Sequence, residues 1–232
     1  MTKLFLIPTP LGEGETASIP TYVADIIRSL DTFIVEKAKT ARHHIKAICP
    51  DVVLQSLAMC ELNEHELKTA EAFFLEAITA KKNIGLMSEA GCPGVADPGA
   101  TIVALAHKKN IEVVPMVGPS SILLALMGSG MNGQSFVFHG YLGAKSEDLV
   151  KDLKKLESHA GKGRQSQIFI ETPYRNKNII DVAFKNLQPQ TRLCIACDLT
   201  MPNQYIKTLT IAEWKKTTLP ELHKRPAVFV IG

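Results

Sequence analysis

Ser88-Glu89-Ala90-Gly91-Cys92-Pro93-Gly94-Val95-Ala96-Asp97-Pro98-Gly99 is the stretch whose composition points most directly to chemistry. Three glycines and two prolines follow the apolar run Asn83 to Met87 and precede the helix-like run Ala100 to His107. Glycine lets a backbone approach a ligand closely or take positive φ, and proline fixes loop shape. Such a bend presents main-chain N–H and C=O groups to a small polar molecule. The turn Pro8-Thr9-Pro10-Leu11-Gly12-Glu13-Gly14 also follows an apolar run, but it lacks the G-x-G-x-x-G dinucleotide pattern. G-x-x-x-x-G-K-[ST] is absent, so nothing supports P-loop phosphate binding. Arg42 and Arg175 are suited to an anionic substrate such as phosphate or carboxylate, and each reads equally well as a surface ion pair.

Cysteine and histidine chemistry is weaker. Cys194-Ile195-Ala196-Cys197 has C-x-x-C spacing, but it lies in a strand-like run with no matching second pair. Residues three apart on a strand face opposite ways, so packed core cysteines are expected. His43-His44 and the isolated His65 lack ligand spacing, and no metal is expected.

These residues need elements to position them. Apolar runs and helical periodicity alternate through the first half. Strands are expected at Lys3 to Pro8, Thr32 to Glu36, Val52 to Leu57, Asn83 to Met87 and Ile111 to Val114. Helices are expected at Pro20 to Leu30, Ala38 to Ile48, Leu62 to Ala80 and Ala100 to His107. Alternation of this kind builds a parallel sheet covered on both faces, with ligands at the strands' carboxyl edge. A second Pro/Gly cluster, Pro115 to Ser121, marks a boundary between domains 1–117 and 118–232. Ser120 or Ser121 is placed to cap a helix at Ile122 to Met127.

Beyond the boundary, strands are expected at Ser135 to Phe138, Gln167 to Ile170, Thr191 to Cys197, Tyr205 to Thr210 and Ala227 to Ile231. Helices are expected near Glu147 to His159 and Asn176 to Leu187. Closely spaced strands without intervening helices imply a mixed sheet. The fold class is therefore two α/β domains, the first a mostly parallel five-stranded sheet and the second mixed, with a cleft between them. At 232 residues, 46% hydrophobic and 21% charged, the chain is composed like a globular protein that buries a large core. No apolar run suits a signal peptide or membrane span, so a cytoplasmic protein without membrane contact is expected. A net charge of +3 neither announces nor excludes nucleic acid.

Six segments occur in order: Pro8-Thr9-Pro10-Leu11-Gly12; Glu36 with Thr40-x-Arg42; Ser88 to Pro93 with Asp97-Pro98-Gly99; Gly118-Pro119-Ser120-Ser121; Glu171-Thr172-Pro173-Tyr174-Arg175; and Asp198-Leu199-Thr200. Together they resemble the tetrapyrrole (corrin/porphyrin) methylase superfamily, nearest to the branch that methylates a cytidine 2′-hydroxyl in 16S ribosomal RNA. The resemblance runs from Leu4 to Ile231. It implies an S-adenosylmethionine-dependent methyltransferase, usually a homodimer. It assigns Pro10, Leu11, Gly12, Ala90, Gly91, Cys92 and Val95 to the methionine and sulfonium end of the cofactor. Ser120, Ser121 and Ile122 would meet the cofactor from the domain junction. Ile170, Asp198, Leu199, Pro226 and Ala227 would hold its adenosine. The pattern also departs from that branch. The first turn continues Gly12-Glu13-Gly14-Glu15-Thr16, not Gly-Asn-Leu-Gly-Asp. Glu36-Lys37-Ala38-Lys39-Thr40-Ala41-Arg42 replaces Glu-Asp-Thr-Arg, and Thr172-Pro173-Tyr174-Arg175 replaces Ser-Pro-His-Arg.

Methyl transfer from a sulfonium is an in-line displacement, so the protein must align the partners and exclude water. A hydroxyl acceptor also needs a base. Glu36, Glu89 and Glu171, each near a strand end, are the candidates; each also reads as a loop-capping carboxylate. Tyr141 is placed either to cover the site or to pack. Lys151, Lys154, Lys155, Lys162 and Arg164, with Lys215 and Lys216, form either an RNA footprint or a solvated helix face. Three functions are compatible with these residues: a ribosomal RNA methyltransferase acting on the small subunit, a methyltransferase for a small anionic substrate such as a tetrapyrrole, and a non-catalytic S-adenosylmethionine-binding protein.

Overall fold

The computed structural model describes residues 2–63 and 66–232. The chain forms two compact units, Met1–Ser120 and Ser121–Gly232. In the first, strands β1 (Lys3–Ile7), β2 (Thr32–Val35), β3 (Ala58–Glu61), β4 (Ile84–Met87) and β5 (Glu112–Pro115) alternate with helices α1 (Thr21–Arg28), α2 (Ala38–Ile48), α3 (Leu67–Thr79) and α4 (Ala100–Lys108). The strand order is β3-β2-β4-β1-β5 and every pairing is parallel. Side-chain alternation divides the core. Phe5, Ile7, Phe33, Val35 and Met87 pack with Val23, Ile27 and Ile45 from α1 and α2 on one face. Leu4, Ile34, Ile84 and Leu86 pack with Phe74 and Ile102 from α3 and α4 on the other. Burial on both faces is why β2 and β4 read as unbroken apolar runs.

One expectation fails here. Val52 to Leu57 is not the third strand: Leu54–Ser56 is a turn of 3-10 helix, and pairing with β2 begins at Ala58. Asp31 O accepts from Ala58 N–H at 2.8 Å and sets that register, a tertiary constraint invisible to a local pattern. The helix expected from Leu62 begins at Leu67. Part of that expectation, and His65, lie outside the described residues.

The second unit contains α5 (Ser121–Ser129), β6 (Phe136–Tyr141), α6 (Ser146–Gly163), β7 (Ser166–Glu171), α7 (Asn176–Asn186), β8 (Arg192–Cys197), β9 (Tyr205–Thr210), α8 (Ile211–Trp214) and β10 (Ala227–Ile231). Strand order is β6-β7-β10-β8-β9; β6 and β7 are parallel, and β10 runs antiparallel to β7 and β8. One face carries Phe169, Phe229, Ile195 and Cys197 against Leu149, Leu153, Ile180 and Trp214 from α6, α7 and α8. The short α8 was not expected. Its start is a capping box in which Thr210 and Glu213 satisfy each other's main-chain N–H groups. Cys194 and Cys197 are both buried and free, and only Cys197 belongs to the α6–α8 face. Strand alternation therefore separates them, and burial pushes the Cys197 thiol up to about 11. Among the described residues, no helix is long and apolar enough to cross a membrane.

Candidate active site

In a parallel sheet every carboxyl strand end falls on one edge, so the segments after β1, β2, β4 and β5 gather there. Thr9 and Gly91 exchange main-chain hydrogen bonds, 2.9 Å from Thr9 N–H to Gly91 O and 3.1 Å in return. That bridge needs Gly91 at φ +80°. A Cβ there would stand 3.2 Å from Leu11 Cδ2 and 3.3 Å from Pro119 O. Gly118 is tighter still: its Cβ would lie 2.0 Å from Pro8 Cβ. The β1, β4 and β5 loops are therefore packed so closely that Gly91 and Gly118 leave no room for a side chain beside Leu11, Pro119 and Pro8.

The long β4–α4 loop is held from within by Asp97. Its Oδ1 accepts from Gly94 N–H at 2.9 Å and from Gly99 N–H at 2.6 Å. Burial still raises the Asp97 pKa above the ordinary carboxylate value, with the N–H groups of Gly99, Gly94 and Val95 opposing. Val95 is carried outward by the adjoining left-handed turn at Gly94 and Ala96, φ +83° and +61°.

Glu36 and Glu89 meet at this edge. Glu36 N–H donates to Met87 O at 3.1 Å, and Glu36 Oε2 accepts from Glu89 N–H at 2.9 Å. Burial raises the Glu36 pKa, offset by the Glu89 N–H and reinforced by the charges of Glu89 and Asp97. Glu89 Oε2 pairs with Lys37 Nζ at 2.9 Å, and its Oε1 accepts from Thr40 Oγ1 at 3.3 Å. His44, a buried residue of α2, reaches Glu89 O through Nε2 at 3.0 Å. Burial lowers the His44 pKa, so the ring is neutral at pH 7 and carries its proton on Nε2 to make that bond.

Beside these carboxylates lies a cavity of about 770 Å³, walled by Pro10, Leu11 and Gly12 on one side and by α2 on another. Lys39, Arg42, His43 and Lys46 of α2 line it, as do Glu13 and Glu89. Those four α2 residues recur at i, i+3, i+4 and i+7, one helical stripe. Of the four, the sequence motifs point to Arg42 alone, although the spacing of all four is legible in the chain. Lys37, Thr40 and His44 as partners of Glu89 are not legible there, because no local pattern joins α2 to the β4–α4 loop.

The second unit has its own edge. Ala227 is in register with Glu171 on one side and Cys197 on the other, so Ile170, Glu171, Asp198, Leu199, Pro226 and Ala227 assemble together. Asp198 N–H donates to Pro226 O at 3.0 Å. Asp198 and Thr200 take φ +48° and +72°, strained for residues other than glycine. Asp198 Oδ2 is held by Arg225 Nε at 2.6 Å, a partner the sequence reading did not single out. Glu171 is buried at this edge of the second unit, whereas Glu36 and Glu89 belong to the first. Its Oε1 accepts from Thr172 N–H at 2.7 Å, and its Oε2 faces Arg175 Nη2 at 3.1 Å without hydrogen-bond alignment. Arg175 also donates to Gly143 O at 3.3 Å, below Tyr141 at the end of β6. Ser120 closes the first unit, and Ser121 and Ile122 begin α5 of the second. Among the described residues no three His, Cys, Asp or Glu side chains gather as a metal ion would require.

The family model for Tetrapyrrole (Corrin/Porphyrin) Methylases matches residues 3–215. The chain belongs to that family. Its expected fold, two α/β units with a parallel and a mixed sheet, is the fold observed, and its family makes it a methyltransferase. Two curated relatives named "Ribosomal RNA small subunit methyltransferase I" match along most of the chain. The Bacillus subtilis protein is 29% identical over 92% of this chain and 69% of its own length. The Vibrio cholerae protein is 28% identical over 90% and 69%. Among solved structures, the methyltransferase CobJ superposes with TM-score 0.65 at 17% identity, covering 100% of this chain and 94% of that one. Uroporphyrin-III C-methyl transferase from Thermus thermophilus, complexed with S-adenosylhomocysteine, superposes with TM-score 0.56 at 14% identity, covering 99% and 97%.

Proposed function

We propose that this chain transfers a methyl group from S-adenosylmethionine to a ribose hydroxyl of small-subunit ribosomal RNA, a cytidine 2′-hydroxyl by the resemblance above. The observation that carries the reading is the cavity in which the bent Pro10–Gly12 main chain faces a cationic helix stripe beside Glu89. The glycine-built loops suit a small donor, since they bring the chain segments together so closely that a Cβ at Gly91 would press on Leu11 and Pro119. Pro10, Leu11, Gly12 and Ala90 to Val95 would hold its methionine end. Ile170, Asp198, Leu199, Pro226 and Ala227, with Ser120 to Ile122, would hold the remainder. When bound, the donor supplies an activated methyl group on a sulfonium.

The chain's own residues do the rest. Arg42, Lys39 and Lys46 take the phosphates that flank the acceptor ribose, at an affinity that falls steeply with salt. Glu89, the carboxylate that lines the cavity, receives the hydroxyl proton as the oxygen bonds to the methyl carbon. Lys37 and Thr40 hold that carboxylate in place, and Glu36 fixes the peptide that carries it. Rigid loops keep nucleophile, methyl carbon and leaving sulfur in line, which can supply much of the acceleration. The protein works in the cytoplasm, as a homodimer.

The test is transfer of tritiated methyl to small ribosomal subunits from cells lacking this gene. Label confined to one nucleotide supports the reading. Label on an added tetrapyrrole, with none on RNA, replaces it with the small-substrate reading. Donor binding without label on either leaves a non-catalytic binding protein.

A further inference from the structure

Tyr174 stands in the β7–α7 loop of the second unit and is 69% exposed. The loop beneath it is rigid. Lys224 N–H donates to Pro173 O at 3.2 Å, and the fully buried Asn176 donates through Nδ2 to Leu222 O at 2.9 Å and to Arg225 O at 2.7 Å. Arg175 ties the same loop to the segment after β6 through Gly143 O at 3.3 Å. His223 meets the ring in a T-shaped arrangement, centroids 5.7 Å apart and planes at 76°. Lys224 Nζ lies 6.0 Å from the centroid, the outer limit of a cation–π contact. Lys224 itself takes φ +63°, a left-handed backbone conformation.

An aromatic ring this exposed, on a pinned loop with a lysine ammonium over it at the outer limit of contact, is the arrangement that captures an unpaired nucleobase. We propose that Tyr174 is a stacking platform for one base of single-stranded RNA, with Lys224 holding the adjoining phosphate. This rests on the RNA reading above and adds to it a second contact, in a different unit from the cationic α2 stripe. Stacking accepts any base, so the platform would position the strand and leave sequence choice to other contacts.

The test is anisotropy of a labelled, mixed-sequence single-stranded RNA of about ten nucleotides, within the usual site size for such surfaces. Tyr174→Ala should weaken binding about 5- to 100-fold, and Tyr174→Phe should stay within about twofold, because the ring rather than the hydroxyl makes the contact. Tyr174→Leu keeps apolar bulk and should fall with the alanine variant, which separates stacking from loop packing. Lys224→Ala should lower the salt slope by about one. Wild-type affinity in the alanine and leucine variants, or a phenylalanine variant as weak as alanine, overturns the platform alone. A wild-type protein that binds neither this RNA nor small ribosomal subunits overturns the platform and the RNA reading together.

Discussion

The main-chain N–H of Glu89 donates to Glu36 Oε2 at 2.9 Å, joining the end of β2 to the loop after β4. The bond gives the two carboxylates different tasks. Glu36 spends an oxygen on its neighbour's peptide, while the Glu89 side chain stays at the cavity wall with Lys37 and Thr40.

That division predicts unequal losses. Glu89→Gln should slow single-turnover methyl transfer about 10²- to 10⁴-fold, the range for removing a positioned base. Glu36→Gln still offers an oxygen to the Glu89 N–H and should lose less than about tenfold, whereas Glu36→Ala should lose more. Rapid-quench measurement on all three variants decides it. A reversed order would move the proton to Glu36.

The buried His44 makes stability depend on pH. Its folded pKa is lowered by burial, so the unfolded chain takes up the proton first. The associated stability is fully present above the ordinary histidine value of about 6.5 and is lost as pH falls through the lowered folded value. Wild-type Tm should therefore drop between pH 7.5 and 5. In His44→Gln, which keeps a donor for Glu89 O, the drop should shrink. Parallel melting curves for the two proteins would reject this role for His44.

Gly91 and Gly14 separate backbone strain from loop shape. Both have positive φ, +80° and +76°, but only a Cβ at Gly91 meets neighbours, Leu11 and Pro119; nothing lies within 4 Å of one at Gly14. Gly14→Ala should cost about 1–2 kcal/mol of stability with donor affinity unchanged. Gly91→Val adds a branched side chain to the same strain and should cost about 1–3 kcal/mol, small enough to remain folded, while donor affinity falls at least tenfold. Calorimetry with S-adenosylmethionine on folded protein reads both. Undiminished affinity in Gly91→Val would remove the β1 and β4 loops from the donor site.

What could be read from the sequence follows from the range of each interaction. α2 and β9 appear with the bounds that periodicity gives, because their apolar spacing is local and complete. β3 does not: its start is fixed by Asp31 across the sheet, not by anything in Val52 to Leu57. The Gly/Pro bends were legible because unusual backbone needs unusual residues, and Gly91, Gly94 and Gly118 are where the structure requires them. The carboxylates were legible as strand-end residues, but not their partners. His44 reaches Glu89 across 45 positions and Arg225 reaches Asp198 across 27, and only folding makes such pairs neighbours.

Arg225 gives the last prediction. Its guanidinium donates to Asp198 Oδ2 at 2.6 Å, Glu221 O at 2.8 Å and Asn203 O at 2.7 Å, so one planar fork fastens the β8–β9 turn to the segment before β10. Asp198 is held there at φ +48°, a conformation that persists only when its surroundings impose it. Lysine has the charge but not the fork, and it cannot serve three acceptors in different directions from one plane. Arg225→Lys should therefore weaken S-adenosylmethionine binding about 5- to 50-fold and lower stability by about 1–3 kcal/mol, the scale of a lost hydrogen bond to a charged group. Asp198→Asn keeps an acceptor for Nε and should lose less on both counts. Calorimetry and urea melts on the two variants test the order. Full donor affinity in a destabilised Arg225→Lys protein would make the fork a structural clamp and take the Asp198 turn out of the binding site.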